Sequence, residues 1–135
     1  MKKWILSAKP ISIDLGLLLL RVALGAGMMT HGLPKLMNYS ERVEKFSDPI
    51  GLGSEFSLIL TILAEVFCSL LLMLGLYTRL VLIPLIITFI VVAFIVHGAD
   101  SFGQKEKALL YLIPYLVLML TGPGKFSLDR IRNNA

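Results

Sequence analysis

Four blocks of apolar residues separated by polar links set the pattern of the chain. The first covers residues 11–30, with Asp14 near its start and Arg21 at its middle. The second, 56–77, is broken only by Glu65. The third, 80–96, and the fourth, 108–121, carry no charge. A helix needs about 20 residues to cross the hydrocarbon core of a bilayer. With no water there to satisfy the backbone, these blocks are expected to be helices. The fourth reaches spanning length if it starts at Glu106 and runs to Gly122, with Lys105 and Lys107 snorkelling to the interface. The predicted spans are 11–30, 56–77, 80–97 and 106–122 of a single domain covering 1–135.

The links refine this picture. "LYTR" between the second and third spans is short enough to force a tight antiparallel hairpin, and "HGADSFGQKEK" is also short. The long link is 31–55. There Asn38 and Glu41 have capping-box spacing. Leu36, Val43 and Phe46 predict a short amphipathic helix on the membrane surface, ended by the turn sequence "DPIGLG". The fold class is therefore all-α: a polytopic membrane protein, an up-down bundle of four transmembrane helices with a short interfacial segment between helices 1 and 2.

Composition agrees. Hydrophobic residues make up 56% of the 135, above the roughly 45–50% of soluble domains. The net charge of +4 includes no basic run dense enough for nucleic acid. Cys68 is the sole cysteine, which excludes an internal disulfide or a CxxC pair. The N-terminus begins with lysines, but Lys9, Asp14 and Arg21 interrupt its apolar run. A cleavable signal has an uncharged core, so this segment reads as a retained first span with Trp4 as an interface anchor. Four spans put both termini on one side, with seven Lys and Arg residues there against five on the other. The positive-inside rule then places the termini in the cytoplasm.

Candidate chemistry lies in the charges inside the spans. A charge at the centre of a membrane helix costs about 2.5–3.5 kcal/mol on insertion scales. Counted from the predicted span ends, Arg21 and Glu65 sit at similar depth on neighbouring helices, and they are expected to form a buried ion pair. Arg21 shares a helical face with Gly25, Met28 and Gly32, whose small residues permit close helix approach. Thr61, Glu65, Cys68 and Ser69 share another. Such a pair serves either packing or a polar pocket. A second polar cluster, His31, His97, Asp100 and Glu106, is expected at the loop-bearing boundary. A histidine with an acidic partner suits proton exchange with a carbonyl. No metal-ligand spacing and no haem attachment motif is present. Tyr111 and Tyr115, at i and i+4, read as packing residues.

Taken in order, several motifs resemble the DoxX family of small four-helix bacterial membrane proteins. They are Arg21 in "LLRVALGAGMMTHGLPK", Glu65 in "ILAEVFCSLLLMLGLYTR", His97 at the end of the third span, Glu106 in "KEKALLYL", and "GPGKFSLD". The resemblance extends from about Asp14 to Asp129. It implies a membrane bundle linked to oxidoreductase systems. The family is named for a subunit of a thiosulfate:quinone oxidoreductase, and other members are associated with sulfur, thiol or quinone stress. Carried over by position, Arg21, His31, Glu65, His97 and Glu106 are the family-like polar residues.

No flavin, nicotinamide, haem or iron–sulfur motif is present, so electron transfer would need a bound quinone or a partner protein. Three functions stay open. One is a quinone-interacting redox subunit of the bacterial inner membrane. Another is a non-catalytic anchor or assembly partner of a soluble oxidoreductase. The third is a small transporter, disfavoured by an arginine placed to neutralise the glutamate. The sequence is compatible with an oxidoreductase subunit and with a homo-oligomer, and decides neither.

Overall fold

The computed structural model describes residues 5–134, so Lys2, Lys3 and Trp4 lie outside the described residues. Among those described there are helices and no strands. Helix α1 (Ile13–Met37) is followed by the single turn α2 (Tyr39–Arg42). Then come α3 (Ser54–Leu74), α4 (Thr78–Val96), α5 (Phe102–Thr121) and a short C-terminal α6 (Leu128–Asn134). Helices α1, α3 and α4 are long and apolar enough to cross a membrane. Helix α5 packs along α4 and also touches α1. The core between them is built from Leu24, Met28, Leu72, Leu82, Leu85, Tyr115 and Leu118. Phe67, Ile83, Phe94 and Leu110, all exposed, point away from that core. An apolar exterior of this kind suits lipid rather than water.

Helix α1 starts where Ser12 Oγ accepts the Leu15 N–H (3.2 Å), an N-cap. It runs seven residues past the end expected from the apolar block. Pro34 lies inside it, and Asn38 closes it with its backbone and side-chain N–H groups on Pro34 O. The Asn38–Glu41 capping box does not form: Asn38 is both the C-cap of α1 and the N-cap of α2, but its side chain turns back to Pro34 O and makes no capping bond to α2. The predicted amphipathic helix shrinks to α2, and Leu36 belongs to α1. Val43 and Phe46 fold back on Leu58, Ile62 and Val66 of α3. The "DPIGLG" turn is present. Asp48 accepts the N–H groups of Leu52 (2.8 Å) and Gly53 (2.9 Å) and the Ser57 hydroxyl (3.0 Å).

Two helices change their winding. Leu63–Cys68 of α3 and Val91–Val96 of α4 are π-helical. Ser69 Oγ reaches Ala64 O, five residues back, at 3.3 Å. Such π-bulges are rare and frequent at functional sites.

The expected Arg21–Glu65 pair is not formed. Arg21 is fully buried, but its guanidinium donates to Met73 O (2.9 Å), Leu72 O (3.4 Å) and Phe126 O. The longer α1 explains the difference. Gly32, not Arg21, lies level with Glu65: a Cβ at Gly32 would meet the Glu65 Cβ at 2.7 Å. Arg21 is eleven residues earlier, roughly 16 Å along a helix. It lands at the C-terminal end of α3, whose last carbonyls lack helical donors and carry partial negative charge. The fork of a guanidinium suits several such acceptors at once.

Around Arg21 the C-terminal segment closes the hairpin end. Gly75 ends α3 in the left-handed region (φ 66°), and its backbone lies against the guanidinium, where no Cβ fits. Asp129 accepts the N–H groups of Tyr77 and Thr78, both at 2.8 Å, and so caps α4 from across the chain. The Asp129 N–H in turn donates to Gly75 O (2.9 Å). Partial burial pushes the Asp129 carboxyl up, but the hydrogen bonds from Thr78 and Tyr77 and the Arg132 guanidinium outweigh this and hold its pKa below the usual value.

Two outcomes follow for stability. Arg21→Met should lower unfolding stability in detergent by roughly 2–5 kcal/mol, since each buried carbonyl left without a donor costs about 1–3 kcal/mol. Because the folded pKa of Asp129 is depressed, its contribution is complete above the unfolded value near 3.9 and is lost as pH falls below it. A pH series of melting temperatures should show this acid loss, and Asp129→Asn should start lower and lose less on acidification.

Candidate functional site

At the opposite end of α1 the helix carries His31 and Lys35 one turn apart. Lys35 Nζ stands 2.5 Å from Glu65 Oε2, which makes Lys35 the partner of the buried glutamate. It also donates to His31 O at 3.3 Å. The side chain of Glu65 is 9% exposed and that of Lys35 19%. The pair is shielded from water but reachable from a cavity. Gly32 makes this approach possible, since added bulk there would strike Glu65 and Val66.

The pair forms a shared wall between two cavities. The first, of about 240 Å³, is bounded by His31, Lys35, Glu65, His97, Lys107 and Tyr111, with Gln104 and Thr88 also lining it. One side is aromatic: Tyr111 stacks on Phe89 at 5.2 Å and meets His31 edge-on at 6.4 Å. The second cavity, of about 410 Å³, is almost wholly apolar and opens between α3, α4 and the 46–52 loop. Lys35, Glu65, Thr88 and Val92 line both. Glu65 sits in the π-helical segment of α3 and Val92 in that of α4, so both irregular segments face this place. Thr88 Oγ1 donates to Pro84 O (2.8 Å), within the kink-prone part of α4.

His97 ends α4, with Nδ1 2.8 Å from Asp100 Oδ2. That contact orients the ring. Among the described residues, no three His, Cys, Asp or Glu side chains gather as a metal site.

Against this geometry the comparisons with known proteins are informative. The model of the DoxX family matches residues 16–98. The chain belongs to the DoxX family. It is an integral membrane protein. A relative, the inner membrane protein YqjF of Escherichia coli (strain K12), is 27% identical over 126 residues, covering 89% of this chain and 94% of that protein. No solved structure matches significantly.

Of the residues that the DoxX resemblance carried over, His31, Glu65 and His97 meet at the cavity. Arg21 does not, because it serves the hairpin end. Glu106 is exposed and lines neither cavity. Helix α5 begins at Phe102, four residues before the expected start, and presents Lys107 to the cavity instead. Lys35 and Lys107 are the DoxX-chain cations that sequence reasoning missed. Lys35 fell in a segment read as a link, although its i+4 spacing from His31 was a usable signal. Tyr111, read as packing, does pack on Phe89 but also lines the cavity.

The close approach at Gly32 is directly testable. Gly32→Ala should destabilise the protein by about 1–3 kcal/mol, the usual cost of overpacking. Gly16→Ala, on the same helix with open space around it, should be neutral or stabilising by about 0.5–1 kcal/mol. Thermal unfolding of the two variants in one detergent reads the contrast.

Proposed function

We propose that the paired cavities bind a lipid-soluble molecule of the quinone class and that the chain acts as a redox-associated membrane subunit. The observation that carries this reading is the Lys35–Glu65 wall shared by a polar cavity and an apolar groove. A quinone has the matching shape, with a polar ring and an apolar tail. Adjoining volumes of this size fall in the range of small-molecule sites, about 300–1,000 Å³. Entry from the bilayer through the apolar groove would leave the tail there and bring the ring beside Tyr111 and Phe89.

The lining residues fit such a head group. Lys35, Lys107 and the histidines supply donors for carbonyl oxygens, and the Tyr111–Phe89 stack supplies a flat face. A bound quinone would supply the electron chemistry, which no side chain here provides. His97, oriented by Asp100, would exchange protons at the water-facing end. Glu65 would hold Lys35 in place within the membrane.

The same reading makes α5 the fourth span of an up-down bundle, with both termini in the cytoplasm. The excess of Lys and Arg on the terminal side supports this. The membrane proposed is the bacterial inner membrane, in keeping with the printed name of YqjF. The partner proposed is a redox enzyme that delivers or withdraws electrons through the bound molecule.

Equilibrium titration of the purified protein with short-tail ubiquinone and menaquinone analogues tests the proposal. Saturable binding is expected, weakened by roughly tenfold or more in Lys35→Met, the scale of one hydrogen bond to a charged group. No saturable binding of either quinone, or binding untouched by Lys35→Met, would refute it.

A further inference from the structure

The hairpin end of the molecule holds a second recess that the quinone site does not use. It has a volume of about 540 Å³ and lies between the α3–α4 turn, the start of α1 and the C-terminal segment. Four cations line it, Arg79, Lys125, Arg130 and Arg132, against two carboxylates, Asp14 and Asp129. Both carboxylates are already engaged by the backbone. Asp14 accepts the Lys125 N–H (2.9 Å), and Asp129 caps α4 through Tyr77 and Thr78.

The cations are less fully used. Lys125 Nζ is 3.7 Å from Asp14, and Arg132 is 3.2 Å from Asp129. Arg79 commits only its Nε, to Met119 O at 3.2 Å. Arg130 takes part in no ion pair among the described residues. Positive charge and N–H donors therefore exceed the acceptors present.

The rim adds a second feature. Leu80 lines the recess while 63% exposed, and the Tyr77 ring lies under the Arg132 guanidinium at 4.4 Å. Exposed leucine, tyrosine and arginine together mark a membrane–water boundary.

We infer that this recess binds the phosphate of an anionic phospholipid headgroup. Phosphate oxygens accept from Arg79, Arg130 and Lys125 in charge-assisted bonds. The acyl chains run outward past Leu80. Basic pockets between membrane helices hold anionic headgroups in this manner. Free phosphate shares the headgroup chemistry, but it has no use for the apolar rim.

The test is native mass spectrometry of the full chain, purified in detergent and offered equal amounts of phosphatidylglycerol and phosphatidylcholine. Retention of phosphatidylglycerol should exceed that of phosphatidylcholine by roughly tenfold, the scale of one charge-assisted contact. The preference should fall towards parity in Arg130→Gln and in Arg79→Gln/Arg130→Gln, which change exposed side chains. Equal retention of both lipids by the unaltered chain, or an undiminished preference in the double variant, overturns the inference. A separate arm adds millimolar inorganic phosphate to protein in phosphatidylcholine alone. A rise in melting temperature there, without lipid preference in the first arm, assigns the recess to free phosphate and overturns the lipid assignment. Quinone titration of the same variants should be unchanged, so that failure of one site is distinguishable from failure of the other.

Discussion

The arginine inside the first helix sets the register on which the rest of the molecule depends. A guanidinium buried in a membrane protein must find acceptors, because it stays charged. The carbonyls at the end of α3 meet that need, and Phe126 O from the C-terminal segment adds another. Once Arg21 is fixed there, α1 cannot slide along α3. Gly25 then lies against Ser69 and Met73, Gly32 against Glu65 and Val66, and Lys35 one turn of helix beyond. The two charged features of the interior are thus separate in space and in role. One closes the hairpin end, and the other opens a cavity at the far end.

Both α3 and α4 depart from regular winding beside the cavity. A π-helical segment carries one more residue per turn than its flanks require, which disrupts close packing locally. Glu65 occupies the widened turn of α3, and Val92 the corresponding place in α4. A carboxylate there would be costly alone, and breaking a buried pair leaves an uncompensated charge. Lys35 offsets it while staying within reach of a ligand. The aromatic wall and the apolar groove give this polar spot the surroundings expected of a site that takes its ligand from the bilayer.

The sequence made three long apolar helices and the hairpin legible, because long apolar blocks and a four-residue link allow few alternatives. It did not reveal where α1 ends. "HGLPK" reads as a terminus, yet Pro34 is accommodated within the last turns, and the helix continues to Met37. That extension moved Arg21 away from Glu65 and brought Lys35 to it. On α5, Glu106 and Lys107 point about 100° apart, and packing turns Lys107 to the cavity. Neither π-helical segment was visible, since one is an uninterrupted apolar run and the other is apolar but for Glu65. Asp129 lay beyond the last predicted span and Gly75 inside the second, because capping over more than fifty positions leaves no local pattern.

The register of α1 against α3 decides which cation neutralises Glu65, and a double-mutant cycle measures that directly. Unfolding stability in detergent would be compared for Lys35→Met, Arg21→Met, Glu65→Gln and the two double variants. Coupling between Lys35 and Glu65 should lie in the range of about 0.5–3 kcal/mol seen for contacting residues, while Arg21 and Glu65 should be additive within about 0.5 kcal/mol. Strong Arg21–Glu65 coupling with an additive Lys35–Glu65 pair would contradict the register described above and the ligand site built on it.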